Sequence, residues 1–167
     1  LKPVTAADLF ETIGRVLAPT EVEIPTSAAP TTRSLPQEPL SILLAEDNLV
    51  NQRLALRLLE RRGHRVTLAN DGVEAVAAFE QGTFDVILMD VQMPVLDGFG
   101  ATARIREIQA RRGTHVPIIA LTAHAMRGDR ERCLAGGMDG YCSKPINAQE
   151  LFAAIDAARS LQPTQAG

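Results

Sequence analysis

The sequence predicts an α/β fold built on a five-stranded, parallel, doubly wound (βα)5 sheet. Three observations carry that expectation. Short apolar runs alternate with stretches of helical periodicity between residues 41 and 162, the order that gives a parallel sheet covered by helices on both faces. Several of the runs are apolar almost throughout, as strands buried on both faces must be. Polar groups gather where the runs end, and in open α/β sheets that edge is where ligands bind.

Each element has a local reason. SILLAED is an apolar run with turn residues behind it, and NLVNQRLALRLLERRG follows as a helix. Val50, Leu54 and Leu58 recur at i, i+4 and i+8 as its expected apolar face, and Gly63 is its stop. RVTLA is the second strand, and Asn70-Asp71-Gly72 turns into the helix VEAVAAFEQ. FDVILMD reads as a strand that stays apolar until it ends in an acid. A helix around ATARIREIQARR comes after MPVLDG, with the Arg run 111–112 as a solvated end. VPIIALT is the fourth strand, a helix covers roughly 128–135, GYCSK is a short fifth strand, and AQELFAAIDAARS is the last helix.

Composition narrows the function classes. The chain has 167 residues, a formal charge of −3 and few aromatics, so its core must be aliphatic, and no basic stripe interleaved with aromatics marks a nucleic-acid partner. Cys133 and Cys142 stand outside any C-x-x-C, and His64, His115 and His124 are scattered away from them. Free thiols in a reducing cytosol are expected, not zinc or a disulfide. No apolar run approaches the roughly 18 residues of a membrane span. A cytoplasmic chain without direct membrane contact is expected, which leaves room for a parent anchored in the inner membrane.

The strand ends carry the chemistry. The first is followed by Glu46-Asp47, the third ends in Asp90, the fourth in Thr122 and the fifth in Lys144-Pro145. Every strand expected to be central thus delivers a polar group to one edge. Two unit charges 4 Å apart repel by about 4 kcal/mol at an effective dielectric of 20, and Lys144 supplies one positive charge against three negatives. A hard divalent cation fits such a site, and Mg²⁺ takes carboxylates and shares its shell with a phosphate. The plainer alternative is that each acid caps a following helix.

In this order the residues resemble a response-regulator receiver domain: Glu46-Asp47-Asn48, VILMD ending at Asp90, Met93-Pro94 with Asp97-Gly98, ALTA around Thr122, and Tyr141 three residues before Lys144-Pro145. LLAEDNLVNQ, ALTAHAM and GMDGYCSKPI resemble the receivers attached to hybrid sensor histidine kinases. The resemblance implies a flavodoxin-like receiver fold in a bacterial two-component phosphorelay. It implies Asp90 as the phosphoacceptor for a phosphoryl group from a phosphohistidine, on a sensor kinase or a histidine phosphotransfer domain. It implies Mg²⁺ held by Glu46, Asp47, Asp90 and the backbone carbonyl of Gln92. Lys144 and Thr122 would bind phosphoryl oxygens, Thr122 and Tyr141 would switch conformation, and the bond before Pro145 would be cis. Gln92 and His124 occupy positions that tune phosphate lifetime, although a loop histidine facing solvent is an equal reading of His124. Met89 and Met93 read as core. Leu96 and Gly140 depart from the common pattern away from the chemistry.

Two rivals are weaker. An aspartyl phosphatase wants a second acid two residues after the nucleophile, where Gln92 stands. A pseudo-receiver that binds partners without phosphorylation is opposed by the complete set Glu46, Asp47, Asp90, Thr122 and Lys144. No Gly-rich ATP-binding signature is present, so the expected activity is the chain's own phosphorylation and dephosphorylation, with kinase activity in the parent. A homodimer is compatible with this reading.

The opening LKPVTAADLF repeats in SKPINAQELF. Thr5 with Asp8 can cap a helix as Asn147 with Glu150 can, and Leu9, Phe10 and Ile13 match Leu151, Phe152 and Ile155. Residues 1–18 are therefore expected to be the last helix of a preceding receiver-like domain. A Pro-rich linker with Pro19, Pro25, Pro30, Pro36 and Pro39 is expected over 19–40, the receiver over 41–162 and a disordered tail over 163–167.

Overall fold

The computed structural model describes residues 38–124 and 126–161. The helix expected over 1–18, most of the linker expected over 19–40 and the tail expected over 163–167 lie outside the described residues. Strands and helices alternate: β1 (Ser41–Ala45), α1 (Leu49–Arg61), β2 (Arg65–Ala69), α2 (Gly72–Gln81), β3 (Val86–Asp90), α3 (Gly98–Arg112), β4 (Ile118–Thr122), α4 (Arg127–Ala135), β5 (Gly140–Ser143) and α5 (Ala148–Ser160). All neighbouring strands are parallel, in the order β2-β1-β3-β4-β5. Strand five is thus an edge strand, not a central one. The order reverses direction between β1 and β3, so the crevice at their carboxyl ends lies at a topological switch point.

The pleat sends alternate residues to opposite faces. Ile42, Leu44, Val86, Leu88, Ile119 and Leu121 pack under α1 and α5 with Ala55, Leu59, Leu151 and Ile155. Leu43, Ile87, Met89, Ile118 and Ala120 pack under the other three helices with Ala75, Phe79, Ala101, Ile105 and Cys133. Each fully buried Leu or Ile contributes about 1.5–3 kcal/mol. Met89 and Met93 are core residues, as expected, and both cysteines are buried and free. No helix among the described residues is long and apolar enough to cross a membrane.

Four helices start on a side-chain oxygen: Asn48 for α1, Asp71 for α2, Asp97 for α3 and Asn147 for α5. Such caps are typically worth about 1 kcal/mol each. Helix α4 lacks a side-chain cap and buries only Cys133. Its far end is fastened: Arg106 of α3 donates to the carbonyls of Gly137 and Val116 and pairs with Asp139, which also accepts from the Ile118 N–H. Helix α1 stops at Arg61 as expected, with Gly63 at φ +83°.

Two expectations need correction. The buried face of α1 is Gln52, Ala55 and Leu59, whereas Val50 is 74 % and Leu54 38 % exposed. Small Ala55 lets the helix sit close to the sheet, and Gln52 can be buried because its amide finds a backbone carbonyl, that of Glu46, at 2.6 Å. A polar residue with a fixed partner thus took the place that periodicity assigned to valine. Arg112 is also more than a solvated helix end. Its guanidinium donates to the carbonyls of Phe79 and Glu80 at 3.2 and 2.6 Å, which ties α3 to the last turn of α2.

Gly98 stands where the α3 N-terminus meets the end of β3. A Cβ there would run into the Asp90 carbonyl oxygen and come 2.9 Å from Val91 Cα. Gly98→Ala is expected to destabilise the fold by about 2 kcal/mol or more, read as a lowered midpoint in urea unfolding.

Candidate functional site

Four strand ends build the site. Glu46 and Asp47 follow directly on β1, Asp90 and Thr122 are the last residues of β3 and β4, and Lys144 follows β5. Glu46 is fully buried and Asp90 is 2 % exposed, while Asp47 is exposed. None of the three acids caps a helix; Asn48 and Asp97 do that work. One carboxylate oxygen from each of Glu46, Asp47 and Asp90 lies within 4.8 Å of the others. They line a cleft of about 890 Å³ together with Gln92, Thr122, His124 and Lys144.

Lys144 is the counter-charge. Its Nζ lies 2.8 Å from Asp90 Oδ2 and 3.0 Å from Glu46 Oε2. Burial alone would lower the lysine pKa, but the hydrogen bonds and charges of Asp90 and Glu46 hold it above its ordinary value. Asp90 is pushed up to about 6, chiefly by burial and further by the Glu46 charge, against the opposing Lys144 ammonium and Gln92 N–H. That N–H reaches Asp90 Oδ1 at 3.0 Å. One ammonium does not balance three carboxylates.

The donor set fits a hard divalent cation: oxygen ligands, excess negative charge, and one carboxylate oxygen without a hydrogen bond. Glu46 Oε1 accepts from the Asn48 N–H at 3.2 Å, the Asn51 amide at 3.1 Å and Lys144 at 3.3 Å. Oε2 is buried and accepts no hydrogen bond, although the Lys144 charge stands near it. The site can therefore hold a cation and carry the charge of an added phosphoryl group.

The remaining expected residues sit around this centre. The Thr122 hydroxyl is engaged with the backbone of His124, donating to its carbonyl at 3.1 Å. His124 and Gln92 are exposed at the rim, and Tyr141 is half-buried against the core with Arg130 over its ring. The Lys144–Pro145 bond is cis. After β3 the loop turns tightly at Val95, φ +68°, with the Leu96 N–H bonded to the Pro94 carbonyl at 2.7 Å. That conformation strains a β-branched residue.

The sequence reading missed Asn48, Asn51 and Gln52 as partners of Glu46. The signal was available: in EDNLVNQ these residues fall at i, i+3 and i+4, one helical face directly behind the acids. It also missed Phe99, Asp129 and Arg132, which line the outer cleft from α3 and α4; Asp129 and Arg132 pair at i,i+3, but no spacing joins them to Phe99.

Residues 42–156, more than half of the chain, match the family described as the response regulator receiver domain. The chain belongs to that family. The receiver is 48% identical over 123 residues to hybrid signal transduction histidine kinase I of Dictyostelium discoideum, covering 71% of this chain and 7% of that protein. The chain thus spans a small part of this relative's length. It is similar to the receiver domain of a sensor histidine kinase from Pseudomonas aeruginosa PAO1, solved with magnesium coordinated in its active-site cleft. There the identity is 48% and the TM-score 0.64, over 73% of this chain and 98% of that one. A chain in the co-crystal structure of the Saccharomyces cerevisiae phosphotransfer protein Ypd1 with the receiver of Ssk1 matches at 32% identity and TM-score 0.70, over 74% and 91%. The receiver is therefore homologous to those of hybrid histidine kinases. Its relatives include eukaryotic proteins, so the likeness does not confine it to bacteria.

The raised Asp90 pKa gives a signed expectation for the cation-free receiver. A folded pKa of about 6 against an ordinary 3.8 means that the stability from this group is full below 3.8 and lost as pH rises through 6. In EDTA, urea unfolding should show on the order of 3 kcal/mol lost across that window, and Asp90→Asn should remove this component.

Proposed function

We propose that the receiver is the phosphoacceptor of a phosphorelay, taking a phosphoryl group from a phosphohistidine onto Asp90. The observation that carries the reading is the Lys144 ammonium set against both Asp90 and Glu46, at 2.8 and 3.0 Å, at the mouth of an acid-lined cleft. An Asp90 carboxylate oxygen attacks phosphorus, the phosphorus–nitrogen bond breaks, and the electron pair stays on the departing imidazole, which is protonated by solvent. An acyl phosphate results. Transfer of this kind asks for positioning and charge neutralisation more than covalent work by the protein.

The residues divide that task. Lys144, already within bonding distance of Asp90, meets a phosphoryl oxygen. Thr122 must release the His124 carbonyl to donate its hydroxyl to another, and this exchange is the conformational switch, with Tyr141 following on the same face. Gln92 and His124 at the rim govern how readily water reaches the acyl phosphate. Glu46, Asp47, Asp90 and the Gln92 carbonyl would hold Mg²⁺, which when bound supplies the positive charge that the phosphoryl oxygens need. Magnesium in the cleft of the Pseudomonas receiver supports this assignment.

The partner proposed is a phosphohistidine on a kinase domain or a phosphotransfer protein, a reading supported by the hybrid-kinase relative and by the Ypd1 complex. The cytoplasm is the proposed setting, where the buried thiols of Cys133 and Cys142 stay reduced.

Incubation with acetyl phosphate and Mg²⁺, read by intact-mass spectrometry, tests the reading. Wild type should gain one phosphoryl group, and Asp90→Asn or EDTA should abolish the gain. A folded wild type that gains none from acetyl phosphate or from a phosphorylated phosphotransfer protein would make the domain a binding module instead.

A further inference from the structure

Glu46 differs from the other two acids in how its oxygens are shared. Its main chain is locked: the carbonyl accepts from Gln52 Nε2 at 2.6 Å, and Gln52 is steered by Asn70 Oδ1 at 3.1 Å. Asn70 is in turn held by Glu74 through its N–H at 2.8 Å and its amide at 2.9 Å. The side chain is locked separately, since Oε1 collects the Asn48 N–H, the Asn51 amide and the Lys144 ammonium, while Oε2 accepts no hydrogen bond although that ammonium lies 3.0 Å away. Asn51 comes from the first turn of α1, is half-buried, and is a neutral donor. It therefore occupies one carboxylate oxygen without cancelling the charge that a cation needs.

We propose that Asn51 is a positioning residue that makes Glu46 a one-oxygen partner of the bound cation, and so favours Mg²⁺ over Ca²⁺. The inference rests on the Mg²⁺ reading above. Mg²⁺ demands near-octahedral geometry with single oxygens or waters, whereas Ca²⁺ takes more oxygens, at longer distance, and accepts bidentate carboxylates. With Oε1 pinned, Glu46 offers only Oε2, to the cation or to a water in its shell. Without Asn51, Oε1 keeps the Asn48 N–H and the Lys144 ammonium but loses its side-chain amide, which loosens the carboxylate to turn and present both oxygens. Partners of ligand side chains act on metal affinity in this way even though they never touch the ion.

Calorimetric titration of the full chain with Mg²⁺ and with Ca²⁺ tests this, comparing wild type with Asn51→Leu, and thermal unfolding in EDTA reports on the fold. Asn51→Leu should weaken Mg²⁺ binding by about tenfold while changing Ca²⁺ binding by less than about twofold, with the cation-free Tm unchanged. Equal weakening for both cations would reduce Asn51 to a structural role, and an unchanged Mg²⁺ affinity would remove it altogether; either overturns the proposal. A wild type that binds neither cation would overturn the Mg²⁺ reading itself, and this inference with it. Asn51→Ala, which only shortens a half-buried side chain, repeats the comparison if leucine disturbs α1.

Discussion

Everything at the carboxyl edge of the sheet depends on a charge imbalance that the fold imposes. Three carboxylates are brought within 4.8 Å by the ends of two adjacent strands, and one lysine from the sheet edge reaches two of them. Burial keeps water from screening the repulsion, as the elevated Asp90 pKa records. The cluster of acids is thus unfavourable in a particular way: it becomes more favourable when positive charge arrives, and with that charge it can accept the negative charge of a phosphoryl group. Positive charge arriving there would relieve a cost already present in the fold.

The sheet carries that cost. Strand interiors at β1, β3 and β4 are almost wholly buried aliphatics, packed on both faces, so these strands have no alternative register that keeps the core dry. The acids cannot move apart without exposing Leu44 or Leu88. Gly98 lets α3 begin against the Asp90 carbonyl, and the tight turn at Val95 closes the loop between them. A rigid scaffold thereby holds together groups that would otherwise separate.

Much of this was legible in the residues. Strand interiors such as VILM and IIAL could only belong to a sheet covered twice, and the residues ending them named the site. Helix starts were equally plain at Asp71 and Asn147, where the cap side chain and its partner lie close in the chain. The face of α1 was misread because apolar periodicity outweighed the local polar signal of Gln52, whose amide reaches the Glu46 carbonyl six residues back. Arg112 escaped for a different reason: its acceptors lie more than thirty residues away. Nor does spacing bring Phe99 and Arg132 to one cleft. Local chemistry reads out of a sequence; long-range hydrogen bonding does not.

The Arg106 network has a mechanical consequence. It sews α3, the start of β4 and the turn before β5 together at the edge opposite the acids, while α4 enters at the acid side without a side-chain cap and with a single buried residue. One end of this helix is anchored by side-chain hydrogen bonds and the other has no side-chain cap, so a force at the uncapped end pivots it more readily than it slides it. A nine-residue helix is an arm of about 13 Å, held at the Gly137 end and reaching the acid-lined cleft with Asp129 and Arg132.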